Sequence, residues 1–223
     1  MISSRSQQTS FGKAASEKFC SNLSRGIHAA AQPLTILRAS LDRQLIDRMS
    51  IGELRTLAAS SAMEVERVCV LFNCLQQFVI TDSIKPHLIA TPLLPLLATV
   101  VDGVNLLFEK DGMFLRLTAP DVCQPVLIDT ARTLQALSSV LLTAHAVSRA
   151  NDTVELIATS SRTVIRVVVR NANSYVDPLS AEASLGMALA EASIRSQQGR
   201  FTWCLQPFTA QIDLHKAPGA HCQ

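Results

Sequence analysis

The chain has 223 residues, of which 48% are hydrophobic and 17% charged, a composition typical of a folded protein with one large or two modest domains. Its formal net charge of +2 gives no reason to expect a nucleic-acid partner. The polar N-terminus has no apolar leader, and the uncharged run at residues 86–101 is short and interrupted by prolines, so we expect no membrane span and a cytoplasmic protein.

Two long helices are predicted after a Ser/Gln-rich, frayed tail at residues 1–11. Ser50 and Glu53 have the spacing of a capping box at the start of the second helix. Apolar residues repeat at alternating intervals of four and three in both helices, which is the pattern of a bundle seam. The seam residues are Leu23, Ile27, Ala30, Leu34, Leu37 and Leu41, then Leu54, Ala58, Ser61, Val65, Val68, Phe72 and Leu75.

The turn at residues 48–52 is so short that the two helices are expected to lie antiparallel. A single hairpin leaves much of both seams exposed to water. We therefore predict a homodimer, in which two hairpins form a four-helix bundle.

After Ile80 short β-rich runs alternate with helical patterns, which predicts an α+β domain with a mixed sheet and helices on one face. The boundary is expected near residues 81–85, and Asp129 or Thr130 is expected to open the second helix of this domain. Strands are predicted at residues 87–90, 113–118, 126–128, 154–159, 164–170, 201–205 and 211–215, and helices at 93–109, 130–148 and 185–197.

The cysteines and most of the histidines carry no motif. No CxxC pair is present, so no metal site is expected, and the thiols are interpreted as buried and reduced. His87, His145, His215 and His221 form no cluster and are assigned no chemistry.

Residues 27–37 read I-H-A-A-A-Q-P-L-T-I-L, and with the order of elements they resemble the sensor histidine kinases over residues 15–215. The phospho-acceptor box of that family has a histidine five residues before Pro-Leu, and His28, Gln32 and Pro33 fit it. The resemblance implies that His28 accepts a phosphoryl group; the alternative is a surface histidine on a proline-kinked helix. His28 follows the seam residue Ile27, so its side chain is expected to be exposed. Pro33 predicts a bend of the helix just after His28.

The resemblance also implies the domain organisation. Residues 12–81 would be the dimerisation and phospho-acceptor hairpin. Residues 86–217 would be an α/β sandwich like the ATPase domain of histidine kinases.

Several positions depart from what the family uses for ATP. Ala29 replaces the acidic residue that normally follows the histidine, and Ser139 and Thr143 replace asparagines that bind magnesium and phosphate. Either Arg170 or Asn171 stands in place of the aspartate that accepts the adenine amino group. Ala172 and Ser174 replace the glycines after that aspartate.

The glycine-rich lid of the family is reduced to Gly186 in A-S-L-G-M-A-L-A. Backbone amides at this predicted helix start could hold an anion. Close helix packing is the alternative explanation for Gly186, and packing within the helix core is the alternative for Ser139 and Thr143. The departures together imply that binding of ATP and magnesium has been lost.

The function implied is a histidine phosphotransferase of a phosphorelay, which passes phosphate between His28 and the aspartate of a response-regulator receiver domain. An upstream histidine kinase would supply the phosphate, and Arg25 could help to hold it. The alternatives are a non-catalytic pseudokinase scaffold that binds a response regulator, and a divergent kinase that still uses ATP.

Overall fold

A computed structural model describes residues 23, 24, 26–39, 50–119, 124–173 and 179–218. The chain divides into two compact units, Met1–Phe78 and Val79–Gln223. No helix within the described ranges is long and apolar enough to cross a membrane.

The first unit contains helix α1, residues 26–39, and most of helix α2, Ile51–Ser83. The predicted capping box is present at the start of α2. The backbone N–H and the Oγ of Ser50 donate to Oε2 of Glu53 at 2.8 and 2.7 Å, while the backbone N–H of Glu53 faces the Oγ of Ser50 at 3.4 Å. These contacts satisfy amides that have no partner inside the helix, which is why the helix begins here.

The buried side of each helix differs from the predicted seam by about one position. On α1 the buried residues are Gly26, Ala30 and Pro33, whereas Ile27 is 58% exposed. On α2 the buried residues include Leu71, Leu75 and Phe78, and Phe72 is 56% exposed. Of the predicted seam residues, Ala30 and Leu75 are buried within the chain. The exposed ones are Ile27, Leu34, Leu54, Ala58, Val65 and Phe72. Exposure of this kind is expected for a single hairpin, so the predicted bundle seam stays a prediction.

The second unit is an α+β structure with two sheets instead of the single sheet predicted. Strand β1 pairs antiparallel with β3, and the five-stranded sheet has the order β2-β4-β5-β7-β6. Only β2 and β4 are parallel in the larger sheet, so the sheet is mixed. The strands are β1 Ile89–Thr91, β2 Phe114–Thr118, β3 Val126–Ile128, β4 Thr153–Ser160, β5 Val164–Asn171, β6 Arg200–Leu205 and β7 Phe208–His215.

Three helices, α3 Leu93–Lys110, α4 Thr130–Ala146 and α5 Ala181–Ser196, complete the second unit. Alternate residues of β4, β5 and β7 are buried, as expected for a sheet covered by helices on one face only. The buried side chains of the sheet and the helices form one hydrophobic core.

Arg132, in the first turn of α4, holds the end of α2 within the second unit. Its guanidinium is buried and donates to the backbone oxygens of Thr81 at 3.2 Å and Ile84 at 2.6 Å, and to the Oγ of Ser196 at 3.0 Å. The carbonyl groups of Thr81 and Ile84 lie at the end of α2, where no backbone N–H of the helix is left to donate to them. The guanidinium of Arg132 takes the place of these donors. Asp129 is the N-cap of α4, and its Oδ1 accepts from the backbone N–H of Arg132 at 3.2 Å.

The prediction of buried thiols is wrong for part of the chain. Cys69 and Cys204 are exposed, and Cys74 is half-buried. An exposed thiol on a helix or an edge strand contributes little to packing, so apolar burial does not explain these residues.

Candidate functional site

His28 lies on α1 with its side chain exposed to solvent. Ala30 is buried, and two residues along a helix correspond to a rotation of about 200°. His28 therefore points away from the buried side of α1, which gives it the accessibility that a phosphoryl acceptor needs. Gln32 is also exposed one turn further on, on the same side of the helix as His28.

Pro33 is buried, and α1 continues through it without a break. A proline cannot donate to the carbonyl of Ala29 four residues earlier. Two residues further on, the Oγ1 of Thr35 donates to the backbone oxygen of Ala31 at 2.8 Å. The bend beside His28 stays a prediction, and Arg25 lies outside the described residues.

Ser139 and Thr143 lie one turn apart on α4 and take part in helix packing. Thr143 is buried, and its Oγ1 donates to the backbone oxygen of Ser139 at 2.8 Å. Ser139 faces α5, because a Cβ placed on Gly186 would lie 3.6 Å from the Cβ of Ser139. The structure thus brings Ser139, Thr143 and Gly186 together as a contact between two helices.

The start of α5 corrects the prediction for Gly186. The helix begins at Ala181, and the Oγ of its N-cap Ser180 accepts from the backbone N–H of Ala183 at 3.1 Å. The amide of Gly186 consequently lies inside the helix, beyond the first-turn amides that lack internal partners. The expectation that amides at Gly186 form a helix start able to hold an anion is wrong.

Arg170 and Asn171 face opposite sides of β5. Arg170 lies on the exposed face of the sheet, and its Nε donates to the Oε2 of Glu155 at 2.7 Å. Asn171 is 1% exposed and lies on the helix-covered side. Of the two residues that the sequence leaves open for the family's aspartate, only Asn171 therefore lies on the helix-covered side.

The side chain of Asn171 belongs to a buried network of polar groups. Its Nδ2 donates to the Oγ of Ser148 at 2.6 Å and to the Oδ2 of Asp152 at 3.2 Å. Its Oδ1 accepts from the backbone N–H of Asn173 at 2.9 Å. Both amide protons and the carbonyl oxygen are therefore engaged within the protein.

Asp152 is the charged member of this network, and the sequence analysis did not single it out. It is 4% exposed, and its Oδ2 also accepts from the backbone N–H of Arg149 at 2.9 Å. The side chain of Asn173 lies near its Oδ1 at 3.4 Å. An Asp before a strand in R-A-N-D-T usually indicates a turn, so only the structure connects it with Asn171. Ser174, the second replaced glycine position, lies outside the described residues.

Solved structures of histidine kinases are similar to this chain. The chain matches the Acinetobacter baumannii histidine kinase AdeS with a TM-score of 0.68 and 16% identity, over 86% of this chain and 98% of that chain. It matches histidine kinase ThkA, in complex with the response regulator protein TrrA, with a TM-score of 0.70 and 14% identity, over 97% of this chain and 65% of that chain.

Full-length ShkA in complex with AMPPNP is a further match, with a TM-score of 0.63 and 16% identity, over 86% of this chain and 47% of that chain. No protein-family model matches the sequence, and no curated protein matches it. At these identities the likeness concerns the fold alone. The chain therefore has the fold of a histidine kinase.

Proposed function

We propose that the protein is a histidine phosphotransferase of a two-component phosphorelay, which passes phosphate between His28 and a receiver-domain aspartate without binding ATP. The proposal rests mainly on the hydrogen bonds of the Asn171 side chain. Its hydrogen-bonding groups are engaged by Ser148, Asp152 and Asn173, at the position where a histidine kinase needs an acceptor for adenine.

The rest of the degenerate nucleotide site supports the same conclusion. Magnesium prefers carboxylate, carbonyl and water oxygens in octahedral geometry. The hydroxyl of Thr143 is buried and bonded to its own helix, and Ser139 packs against Gly186. Neither side chain extends as a ligand for a hard cation.

The transfer step needs only an exposed imidazole and a phosphorylated partner. The lone pair of a neutral imidazole nitrogen of His28 attacks the phosphorus of the phosphoaspartate, and a P–N bond forms while the P–O bond to aspartate breaks. The bonding electron pair leaves with the aspartate carboxylate, and the second ring nitrogen releases its proton to water. The same steps reversed pass the phosphoryl group to the next receiver.

A homodimer is part of the proposal. Ile27 and Leu34 on α1, and Val65 and Phe72 on α2, are exposed apolar residues at heptad spacing next to the buried side of each helix. A second hairpin at residues 12–81 would cover them in a four-helix bundle. Residues 86–217 would then be a degenerate kinase-type domain with no nucleotide, in a cytoplasmic protein that receives phosphate from an upstream histidine kinase.

The partner class follows from the chemistry of the transfer. The neighbour ThkA was solved in complex with the response regulator protein TrrA, and this chain covers 65% of the ThkA chain. A receiver domain of that class provides the aspartate that the transfer requires.

The test is transfer of acid-labile phosphate from a panel of phosphorylated receiver domains to the purified protein. We expect label on the wild type, no label on His28→Gln, and undiminished label on His87→Gln, which removes a different exposed histidine. Transfer to His28→Gln would exclude His28 as the acceptor.

The same assay separates the two alternatives. Binding of a receiver without transfer, unchanged in His28→Gln, would indicate a pseudokinase scaffold, for which Ala29 is equally suitable. Labelling by ATP alone would indicate a divergent kinase and contradict the proposal.

A further inference from the structure

The face of the large sheet that the helices do not cover carries four arginines and no lysine. They are Arg116 on β2, Arg166 and Arg170 on β5, and Arg200 on β6. All four are exposed. Arginine is enriched and lysine depleted where proteins contact one another, because the planar guanidinium is weakly hydrated and binds carboxylates in a fixed geometry.

The arginines are arranged in two rows, each with a carboxylate at its centre. In the first row Glu155 lies directly opposite Arg116 on one side and Arg170 on the other, across β2, β4 and β5. In the second row Asp213 lies directly opposite Arg166 and Arg200, across β5, β7 and β6. We call these six residues the arginine face.

In each row one arginine donates hydrogen bonds to the carboxylate and the other donates none. Arg170 donates to Glu155 at 2.7 Å, and Arg166 donates to both oxygens of Asp213 at 2.7 and 3.1 Å. Within the described residues, Arg116 and Arg200 make no side-chain hydrogen bond. Arg200 nevertheless lies close enough to Asp213 for its charge to help lower the pKa of that carboxyl. Each row therefore has a net positive charge, and the guanidinium at its outer end keeps its hydrogen-bond donors for a partner.

The charge of the second unit is divided between its two layers. The three helices carry four acidic and three basic residues, a formal net charge of −1. The acidic residues are Asp102, Glu109, Glu182 and Glu191, and the basic ones are Lys110, Arg132 and Arg195. The helix layer is acidic while the arginine face is basic, although the whole chain has a net charge of only +2. Such separation directs an acidic partner to one side of the domain.

We propose that the arginine face is a docking surface for an acidic protein, whose carboxylates accept hydrogen bonds from the guanidinium groups of Arg116 and Arg200. A protein fits better than a nucleic acid, because half-buried Ile157 and Val168 lie between the two rows and offer an apolar contact to protein side chains. The face is roughly 20 Å across in each direction. Its area of roughly 400 Å² is about half of what each partner buries in a standard interface. The interaction is therefore transient, and it does not depend on transfer to His28.

The test uses the full-length protein and poly-L-glutamate as a probe of carboxylate binding, with fluorescence anisotropy at low and at physiological salt. Arg116→Gln with Arg200→Gln weakens binding at least tenfold. Lys110→Gln with Arg195→Gln removes the same charge from the helix layer and leaves binding unchanged. Glu155→Gln tightens binding, because it releases a further guanidinium; a role limited to stabilising the sheet would not produce that result.

Three results would overturn the proposal. One is equal loss in both double variants, which would mean a general effect of net charge. Another is the absence of binding even at low salt. The third is tighter binding of a 20-base-pair DNA duplex or of anionic vesicles through the same arginines. Circular dichroism establishes that the variants are folded.

Discussion

In the buried network of the second unit, Asn171 supplies hydrogen-bond donors and Asp152 supplies the negative charge. Asn171→Asp introduces the residue type of the histidine-kinase position that we propose Asn171 occupies. It also places a second carboxylate where Nδ2 now lies 3.2 Å from the Oδ2 of Asp152. Loss of the donor and repulsion between like charges should lower the free energy of unfolding by about 1–3 kcal/mol. Urea denaturation at pH 7 measures the loss, and ATP affinity should not appear.

The matched control exchanges the two groups. Asp152→Asn combined with Asn171→Asp returns one amide and one carboxylate to the same pair, so most of the lost stability should be recovered. Non-additivity of this kind is expected for residues in direct contact. If Asn171→Asp were as stable as the wild type, the two side chains would not be coupled as the structure indicates.

On the arginine face, the hydrogen bonds from Arg166 hold the pKa of Asp213 below its usual value. A carboxyl with a lower pKa in the folded chain stabilises the fold above its unfolded pKa of about 3.9, and this contribution is lost as the pH falls through the folded pKa. Arg166→Gln should therefore raise the pKa of Asp213. Its destabilising effect should be present at pH 7 and vanish once the pH falls below the folded pKa of Asp213.

NMR titration of the Asp213 carboxyl carbon measures this shift directly. Arg170→Gln is the matched control, since Arg170 donates to Glu155 and should leave the Asp213 titration unchanged. An unchanged Asp213 titration in Arg166→Gln would contradict the geometry of the pair.

At the scale of the element, the capping box determines where α2 begins. Ser50→Ala removes the two contacts of the Ser50 Oγ with Glu53 and should cost about 1 kcal/mol. Thr56→Ala is the control on the same helix, because its Oγ1 only donates back to the carbonyl of Gly52, at 3.2 Å. Hydrogen exchange at the amide of Glu53 should accelerate in Ser50→Ala and stay unchanged in Thr56→Ala; equal rates in all three proteins would contradict the capping role.

The same elements explain how much the sequence could predict. Local signals such as Ser50-x-x-Glu53 and the alternating apolar residues of β4 and β5 located the helices and strands to within a few residues. The start of α5 was placed too late, because Ser180 precedes small residues with no apolar periodicity. The sequence could not tell whether Arg170 or Asn171 lies on the buried face of β5, because that depends on which side of the sheet the helices cover.

The sequence also could not tell which seam residues are buried within a single chain. A heptad pattern identifies apolar residues but does not divide them between contacts within one chain and contacts between chains. Ala30 and Leu75 are buried within the chain, whereas Ile27 and Phe72 are exposed in it. The network of Ser148, Asp152 and Asn171 had no local signal at all, because its members come together only through the tertiary fold.

For the whole molecule, the exposed apolar residues of the first unit predict its assembly. Phe72→Glu places a charge on the exposed stripe that a second copy would cover, and burial of an unpaired charge is strongly unfavourable. We therefore expect a dimer for the wild type and a monomer for Phe72→Glu in sedimentation velocity at tens of micromolar. Met63→Glu is the matched control, because Met63 is also exposed but lies about two and a half turns away, on the opposite side of α2. A monomeric wild type, or a Phe72→Glu variant that still dimerises, would contradict the proposed four-helix bundle.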